Sequence, residues 1–503
     1  METEQDLEHA ELEGSTGAGG ESGERPPVFA RPASSGRVDE GVADRHEEEA
    51  AEAPPQFLKR TAAAVEEEPQ DAPVSDSPLP RQPRSLADLG LSKAFLTDLA
   101  LKIMHYSGTP TTSQLLRRLG VGQTVMQQLL DMLREERYVE VLSQSDLYTG
   151  NYRYRLSERG DHRVSEALER TRYAGPIPVT AEQYGEALKR QLAQRQAPSR
   201  GRIKDILNEL VYDPEVADSV ARALYSGKPA MLYGPSGNGK TSILERFARN
   251  MDGVGLVPYA IYAYGQVIRV FDQSVHEPLE DLDAGAAKED SKMDRRWVLV
   301  RRPAVVMGAE MGPESLDLAY DPQSRFYQAP PHIKAQGGIL IVDDFGRQKI
   351  DARDLLTRWL IPLERGWDTL SLTTGEKLTL PFSAQFLFAT NLPIRSLADD
   401  SLLRRILYKV EIPSPRAEDF GEILRQMCRQ KRVLVAEGAL PYVVEQLYGR
   451  PGFKPHASHA RDLLDMIMEG AAFDGRDPVL DRESLDRILR MFISQQSEGE
   501  FGS

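Results

Sequence analysis

Apolar residues recur at helical spacing over residues 86–106, where Leu89, Phe95, Leu96, Leu99 and Ile103 form one stripe. Residues 112–119 predict a second, short helix, closed by the turn Gly120-Val121-Gly122. A third helix is predicted over 123–136, with Val125, Met126, Leu129, Leu130 and Leu133 on its inner face. The alternating stretches 138–142 and 152–156, joined through turn-like residues, predict a β-hairpin. Together these elements predict a small α+β domain over 85–175. Residues 1–84 show no such pattern. Glu, Pro, Ala, Gly and Ser dominate there, with runs such as Glu47-Glu48-Glu49 and Glu66-Glu67-Glu68-Pro69. So little apolar surface cannot offset the entropy of ordering, so 1–84 is expected to be a disordered tail.

Ala174-Gly175-Pro176-Ile177-Pro178 interrupts the pattern, and a linker helix is predicted within 176–200. From 201 to 413 apolar strands alternate with helices, and 414–503 reads as purely helical. That order predicts an α/β unit with a parallel sheet, followed by a helical lid.

Composition bounds the function. A chain of 503 residues is too long for one core, and roughly three units of about 150 residues are expected. The net charge of −15 argues against a chain built mainly to coat nucleic acid. The single cysteine, Cys428, excludes an intrachain disulfide framework and a multi-cysteine zinc site. No run of about 18 apolar residues is present, and the first 20 residues are acidic and Gly-rich, unlike a signal peptide. A cytoplasmic protein with no membrane span is expected.

The strongest chemical signal is Gly234-Pro235-Ser236-Gly237-Asn238-Gly239-Lys240-Thr241. It follows the apolar run Ala230-Met231-Leu232-Tyr233 and precedes a helical stretch, the strand–loop–helix context that a phosphate-binding loop requires. The glycines let backbone N–H groups wrap phosphates, and the helix N-terminus adds a favourable dipole. Lys240 is the candidate for the β- and γ-phosphates of ATP, and the Thr241 hydroxyl for Mg2+.

Four further segments, in order, resemble the AAA+ ATPases. Gly338-Ile339-Leu340-Ile341-Val342-Asp343-Asp344 looks like Walker B. The resemblance implies that Asp343 holds Mg2+ and that Asp344 stands where the family more often has Glu as the base. Aspartate is shorter by one methylene, which points toward slow or partner-gated hydrolysis. Gln385-Phe386-Leu387-Phe388-Ala389-Thr390-Asn391 resembles sensor 1, implying that Asn391 helps to position the lytic water. Asp399-Asp400-Ser401-Leu402-Leu403-Arg404-Arg405 resembles the arginine-finger box, with Arg405 preferred and Arg404 as the alternative. Ser458-His459-Ala460-Arg461-Asp462 resembles sensor 2, with Arg461 reaching the γ-phosphate from the lid. The resemblance covers roughly 200–503. It implies a homo-oligomeric ring, most often a hexamer, because a neighbour's arginine completes each site.

Residues 368–381, two alternating stretches meeting at Thr374-Gly375-Glu376, resemble the pre-sensor-1 hairpin of the MoxR-like group. Tyr262-Ala263-Tyr264-Gly265 faintly resembles an aromatic pore loop. The 85–175 domain resembles a winged helix, yet its third helix exposes Asp131, Glu135 and Glu136, which would repel phosphates. The favoured expectation is therefore an ATP-hydrolysing remodeller of a protein client. A DNA-associated regulator and a slow-turnover nucleotide switch are the alternatives.

Overall fold

The computed structural model describes residues 79–144, 151–193, 198–208, 213–279, 293–450 and 455–499. Residues 1–78 of the expected tail lie outside the described residues, as do the hairpin loop 145–150 and most of the acidic stretch 277–290. Ordered structure begins before 85. The Asp294 N–H donates to the Pro80 carbonyl at 2.9 Å and Arg81 forms a β-bridge with Met293. The expected tail boundary is corrected accordingly: these backbone groups find partners that composition alone cannot foresee.

Helices α1 (Lys93–Ser107), α2 (Thr112–Leu119) and α3 (Gln123–Glu135) follow the apolar stripes, and Val125, Met126, Leu129, Leu130 and Leu133 are all buried. Each start has a local cause. Ser92 caps α1, and Thr111 with Gln114 forms a capping box on α2. Strands β1 (Val139–Gln144) and β2 (Tyr152–Leu156) pair antiparallel, and α4 (Glu158–Arg170) returns across them. Gly160 is required where α4 meets β1, since a Cβ there would lie 2.2 Å from the Tyr138 carbonyl oxygen.

This module does not hang free. Its core is continuous with Ala260 and Val267 of the α/β unit, and the Phe95 ring sits 4.4 Å from that of Tyr262. The end of α3 that a DNA reader would push into a groove is occupied. Gln128 accepts a bond from Leu86 N at 3.0 Å, and the Gln82 side chain lies against Gly122 while accepting from Arg295 N.

The expected linker is also corrected. Strand β3 (Val179–Thr180) joins a sheet, and helix α5 (Ala181–Ala193) buries Tyr184, Ala187 and Leu188 in the main core with Trp297, Val300 and Leu370. Arg296 and Asp294 pin it: both are almost fully buried and bonded at 2.8 Å, and Arg296 also donates to the Pro178 carbonyl and to Gln183.

After α6 (Arg200–Asn208) and α7 (Pro214–Tyr225) come β4 (Ala230–Tyr233) and α8 (Lys240–Arg249). A long excursion then supplies β5 (Val254–Pro258), β6 (Ala260–Ala263), β7 (Gln266–Arg269), β8 (Trp297–Arg301), β9 (Ala304–Met307), β10 (Ala319–Asp321) and β11 (Phe326–Gln328). Next are β12 (Ile339–Val342), α9 (Ala352–Arg358), α10 (Leu360–Arg365), the hairpin β13 (Trp367–Ser371) and β14 (Lys377–Pro381), then β15 (Gln385–Thr390). The α/β part closes with α11 (Asp400–Leu403) and β16 (Tyr408–Glu411). The principal sheet is all parallel, in the order β16-β4-β15-β12-β9. A second sheet, β10-β11-β7-β6-β3, carries the N-terminal module. The lid consists of α12 (Ala417–Lys431), α13 (Ala439–Tyr448), α14 (Ala457–Phe473) and α15 (Arg482–Gly499) around its own core of Phe420, Leu424, Leu463 and Leu464. It is not purely helical as expected, since the two-residue strands β17 (Leu434–Val435) and β18 (Val479–Leu480), too short to show a pattern, pair in parallel. The fold is thus the α/β P-loop type with a helical lid, and among the described residues no helix is long and apolar enough to cross a membrane.

Removing one partner of a buried ion pair leaves an uncompensated charge. Asp294→Ala is therefore expected to lower the unfolding free energy by about 3–5 kcal/mol, read from urea denaturation. An unchanged midpoint would show that the pair does not anchor the 178–183 segment.

Candidate nucleotide site

Strand β4 is buried along its first three residues and releases the chain at Gly234 (φ 130°), where a Cβ would lie 2.4 Å from the Ile412 carbonyl oxygen. Gly237 and Gly239 both take φ 76°, a left-handed conformation that glycine adopts without strain. Lys240 opens α8, and its Nζ donates to the carbonyls of Gly234 (3.0 Å) and Pro235 (2.8 Å). Burial lowers its pKa, opposed by the nearby charges of Asp344 and Asp343.

Thr241 Oγ1 donates to Asp343 Oδ1 at 2.6 Å. A hydroxyl and a carboxylate at the ends of different elements form the hard-oxygen pair that suits Mg2+, so the residues present fit that ion. Among the described residues no cluster of three or more His, Cys, Asp or Glu side chains forms a separate metal site.

Asp344 is exposed and sits at φ 47°, in the left-handed region. Of the residues with a Cβ, Asp and Asn enter that region most readily. The turn is held from several sides. Phe345 N donates to Ala389 O at 2.7 Å and Thr390 Oγ1 donates to Phe345 O at 2.7 Å. Gln348 Nε2 donates to the carbonyls of Asp343 (2.8 Å) and Asp344 (3.1 Å), while its Oε1 accepts from Gly346 N. Asn391 follows β15, and its Oδ1 accepts from Arg347 Nε at 3.2 Å.

These groups open into one cavity of about 430 Å³, a size that suits a small-molecule ligand. Lys240, Thr241, Asp343, Asp344, Asn391 and Arg461 all line it. So do Ser236, Gly237 and Gly239, whereas Asn238 is buried beneath them and Pro235 lies outside the lining. Arg461, on the second turn of α14, is largely exposed and donates to Asp462.

Arg405 is placed differently. It lies outside the cavity and pairs with Glu364 of α10, whereas Arg404 beside it is exposed. A side chain paired with a carboxylate of its own chain is less available to a neighbour than the exposed Arg404. The spacing of the motif gave no sign of Glu364.

Sequence reasoning also missed the lid side of the site. Ile423, Gln426, Met427 and Gln430 of α12 line the cavity, opposite Arg246 of α8. The lid is tied directly to the loop: Ala457 N donates to Asn238 Oδ1 at 3.1 Å and Ser458 N donates to the Gly237 carbonyl at 2.8 Å. Position 238 is variable in the motif, so only its being a buried amide hinted at a structural tie.

A family model described as Domain of unknown function (DUF8689) matches residues 416–490, the lid alone. No curated protein matches the chain. Among solved structures, NtrX from Brucella abortus is similar at 14% identity and a TM-score of 0.35, over 64% of each chain. The same protein in complex with ATP gives 14% and 0.34, over 68% of this chain and 70% of that one. RuvB, a Holliday junction branch migration motor of Thermotoga maritima, gives 11% and 0.34, over 57% and 71%. The chain spans 64% of the length of the first of these. At such TM-scores the likeness adds no weight to the strand order and site geometry.

Asn238→Ala removes the acceptor of the Ala457 amide. Hydrogen exchange at Ala457 and Ser458 is expected to speed up by about tenfold, matching the roughly 1 kcal/mol of a typical hydrogen bond. Unchanged protection would mean that the lid is held by other contacts.

Proposed function

We propose that this protein binds ATP with Mg2+ and hydrolyses it within a homo-oligomeric ring, using the cycle to remodel a protein client. The observation that carries the reading is the convergence of four distant segments on one cavity: the loop with Lys240 and Thr241, the Asp343-Asp344 turn, Asn391, and Arg461 of the lid. Residue types that hold phosphate, metal and water are gathered at the carboxyl ends of adjacent parallel strands, where such sheets bind ligands.

In this reading the P-loop N–H groups and Lys240 hold the phosphates, and Thr241 with Asp343 holds the ion, which neutralises charge on the β- and γ-oxygens. Asp344 accepts a proton from the water whose oxygen bonds to the γ-phosphorus as the bond to the β–γ bridging oxygen breaks. Asn391 orients that water, and Arg461 meets the γ-phosphate as the lid closes. Arg404, which faces solvent, supplies the neighbour's site with a further positive charge.

Client contact is assigned to two adjacent hairpin tips. Tyr264, at the β6–β7 turn, is 59% exposed and donates through its hydroxyl to Lys377 O at 3.3 Å, next to the exposed Thr374-Gly375-Glu376 turn. Tyr262 is excluded from this role by its packing on Phe95. A protein client is favoured over DNA because segments 80–86 and 294–296 cover the start of α3.

Lys240→Ala and Asp344→Asn are each expected to cut ATP turnover by on the order of 10²-fold or more, measured as phosphate release from the full chain. Arg404→Ala is expected to lose about 10³-fold, and Arg405→Ala much less. Mixing Arg404→Ala with Lys240→Ala subunits should restore part of the rate, since each supplies what the other lacks. No recovery on mixing would sink the shared-site reading, and wild-type turnover in Lys240→Ala would sink the ATPase itself.

A further inference from the structure

Asn391 faces the nucleotide cavity, yet an amide side chain can present either a donor or an acceptor, and its role depends on which. The structure settles the orientation through Arg347. The Arg347 Nε lies 3.2 Å from the Asn391 side chain, and a guanidinium has five N–H donors and no acceptor. The atom facing it is therefore the carbonyl oxygen Oδ1. That leaves the NH2 group, a pure donor, for the cavity that Asn391 lines.

Arg347 is itself well placed to hold this orientation. It belongs to the turn after β12, whose path is fixed by Phe345 on Ala389, by Thr390 on Phe345 and by the Gln348 amide on the Asp343 and Asp344 carbonyls. Its own N–H donates to Asp344 O at 2.9 Å, which ties it to the same backbone. Its side chain is exposed and forms no ion pair among the described residues. A cation that no carboxylate neutralises is thus left to bond a neutral amide. Arg347 does not line the cavity.

We infer that Arg347 is a positioning residue that locks the Asn391 amide with its donor toward the γ-phosphate end of the cavity, so that the protein tells ATP from ADP. The inference rests on the nucleotide-binding reading above. A donor NH2 bonds phosphate oxygens or the oxygen of a water, whereas a flipped amide would set its oxygen against phosphate charge. The lock costs nothing to the β-phosphate contacts, which belong to the P-loop, so its removal weakens binding of the triphosphate selectively.

The test is a calorimetric comparison of ADP and the non-hydrolysable β,γ-imido analogue of ATP, each with magnesium, on the full chain. Arg347→Met is expected to reduce the preference for the triphosphate by about fivefold to tenfold, with ADP affinity and thermal midpoint unchanged, as for loss of one ordinary hydrogen bond. Arg347→Lys, which keeps a donor without an acceptor, is expected to retain most of the preference. In an Asn391→Ala background Arg347→Met should have no further effect, because Arg347 acts through Asn391. An unmoved preference in Arg347→Met, or a full additional loss in the Asn391→Ala background, overturns the inference while leaving nucleotide binding intact. Failure of the wild-type chain to bind either nucleotide overturns the function proposed above, and this inference with it.

Discussion

Thr241 and Asp343 lie 102 positions apart in the chain, and their side chains meet at 2.6 Å. The strands that deliver them are not neighbours, because β15 runs between β4 and β12. The loop after β4 must therefore arch over the end of β15 to reach the end of β12. That crossing places Asn391, the first residue past β15, beneath the contact. The grouping of Lys240, Asp343, Asp344 and Asn391 is thus a consequence of strand order, with parallel register setting the level of each residue. A sheet with β4 beside β12 would bring Thr241 to Asp343 equally well and leave Asn391 outside.

The same geometry alters the meaning of Asp344. As a sequence feature it reads as a base one methylene too short. In the structure its backbone occupies the left-handed region at φ 47°, which disfavours most side chains and which Asp tolerates well. The residue type answers a backbone constraint as well as a chemical one. Such strain persists only where the surroundings over-determine it. Here they do, through the Phe345–Ala389 and Thr390–Phe345 bonds and the Gln348 amide. The turn that fixes the Asp344 carboxylate is therefore also the turn that carries Arg347, the residue bonded to the Asn391 amide.

What was legible in the sequence was what repeats locally or punctuates locally. The five apolar positions of α3, the P-loop with its flanking strand and helix, and the β13–β14 hairpin follow from period, glycine placement and run length. The second sheet was not legible. Its strands are two to four residues long, too short to show alternation, and the pairings that join its two hairpins and β3 into one sheet cross gaps in sequence that no local pattern reports. The 176–200 segment looked like a linker because Pro and Gly bracket it, yet Tyr184 and Leu188 are core residues. Of the site, Lys240, Thr241, Asp343, Asp344, Asn391 and Arg461 line one cavity, while Arg405, expected to serve a neighbour's site, lies outside it and pairs with Glu364. Long-range partners of charged side chains are set by tertiary packing, which a motif does not encode.

Net charge does not decide between a protein and a nucleic-acid partner here. Residues 1–78 hold 20 acidic and 6 basic side chains, leaving 57 and 56 on the remainder. Residues 79–503 are close to neutral, so the overall −15 says nothing about their affinity for nucleic acid. What bears on DNA contact by α3 is cover: Leu86 and Gln82 occupy its first turns, and Gln82 is itself bonded to Arg295. The N-terminal module is consequently a fixed part of the α/β unit, seated on β6 and β7 through Phe95, Tyr262, Ala260 and Val267. Tyr264 lies at the turn of that same hairpin and touches the β13–β14 hairpin, whose base is held by Asp368 against His332 and Arg358. Arg358 closes α9, the helix that comes after the Asp343-Asp344 turn. Among the described residues, side-chain contacts thus run from the Phe95–Tyr262 rings through Tyr264 to the Asp368 ion network and α9.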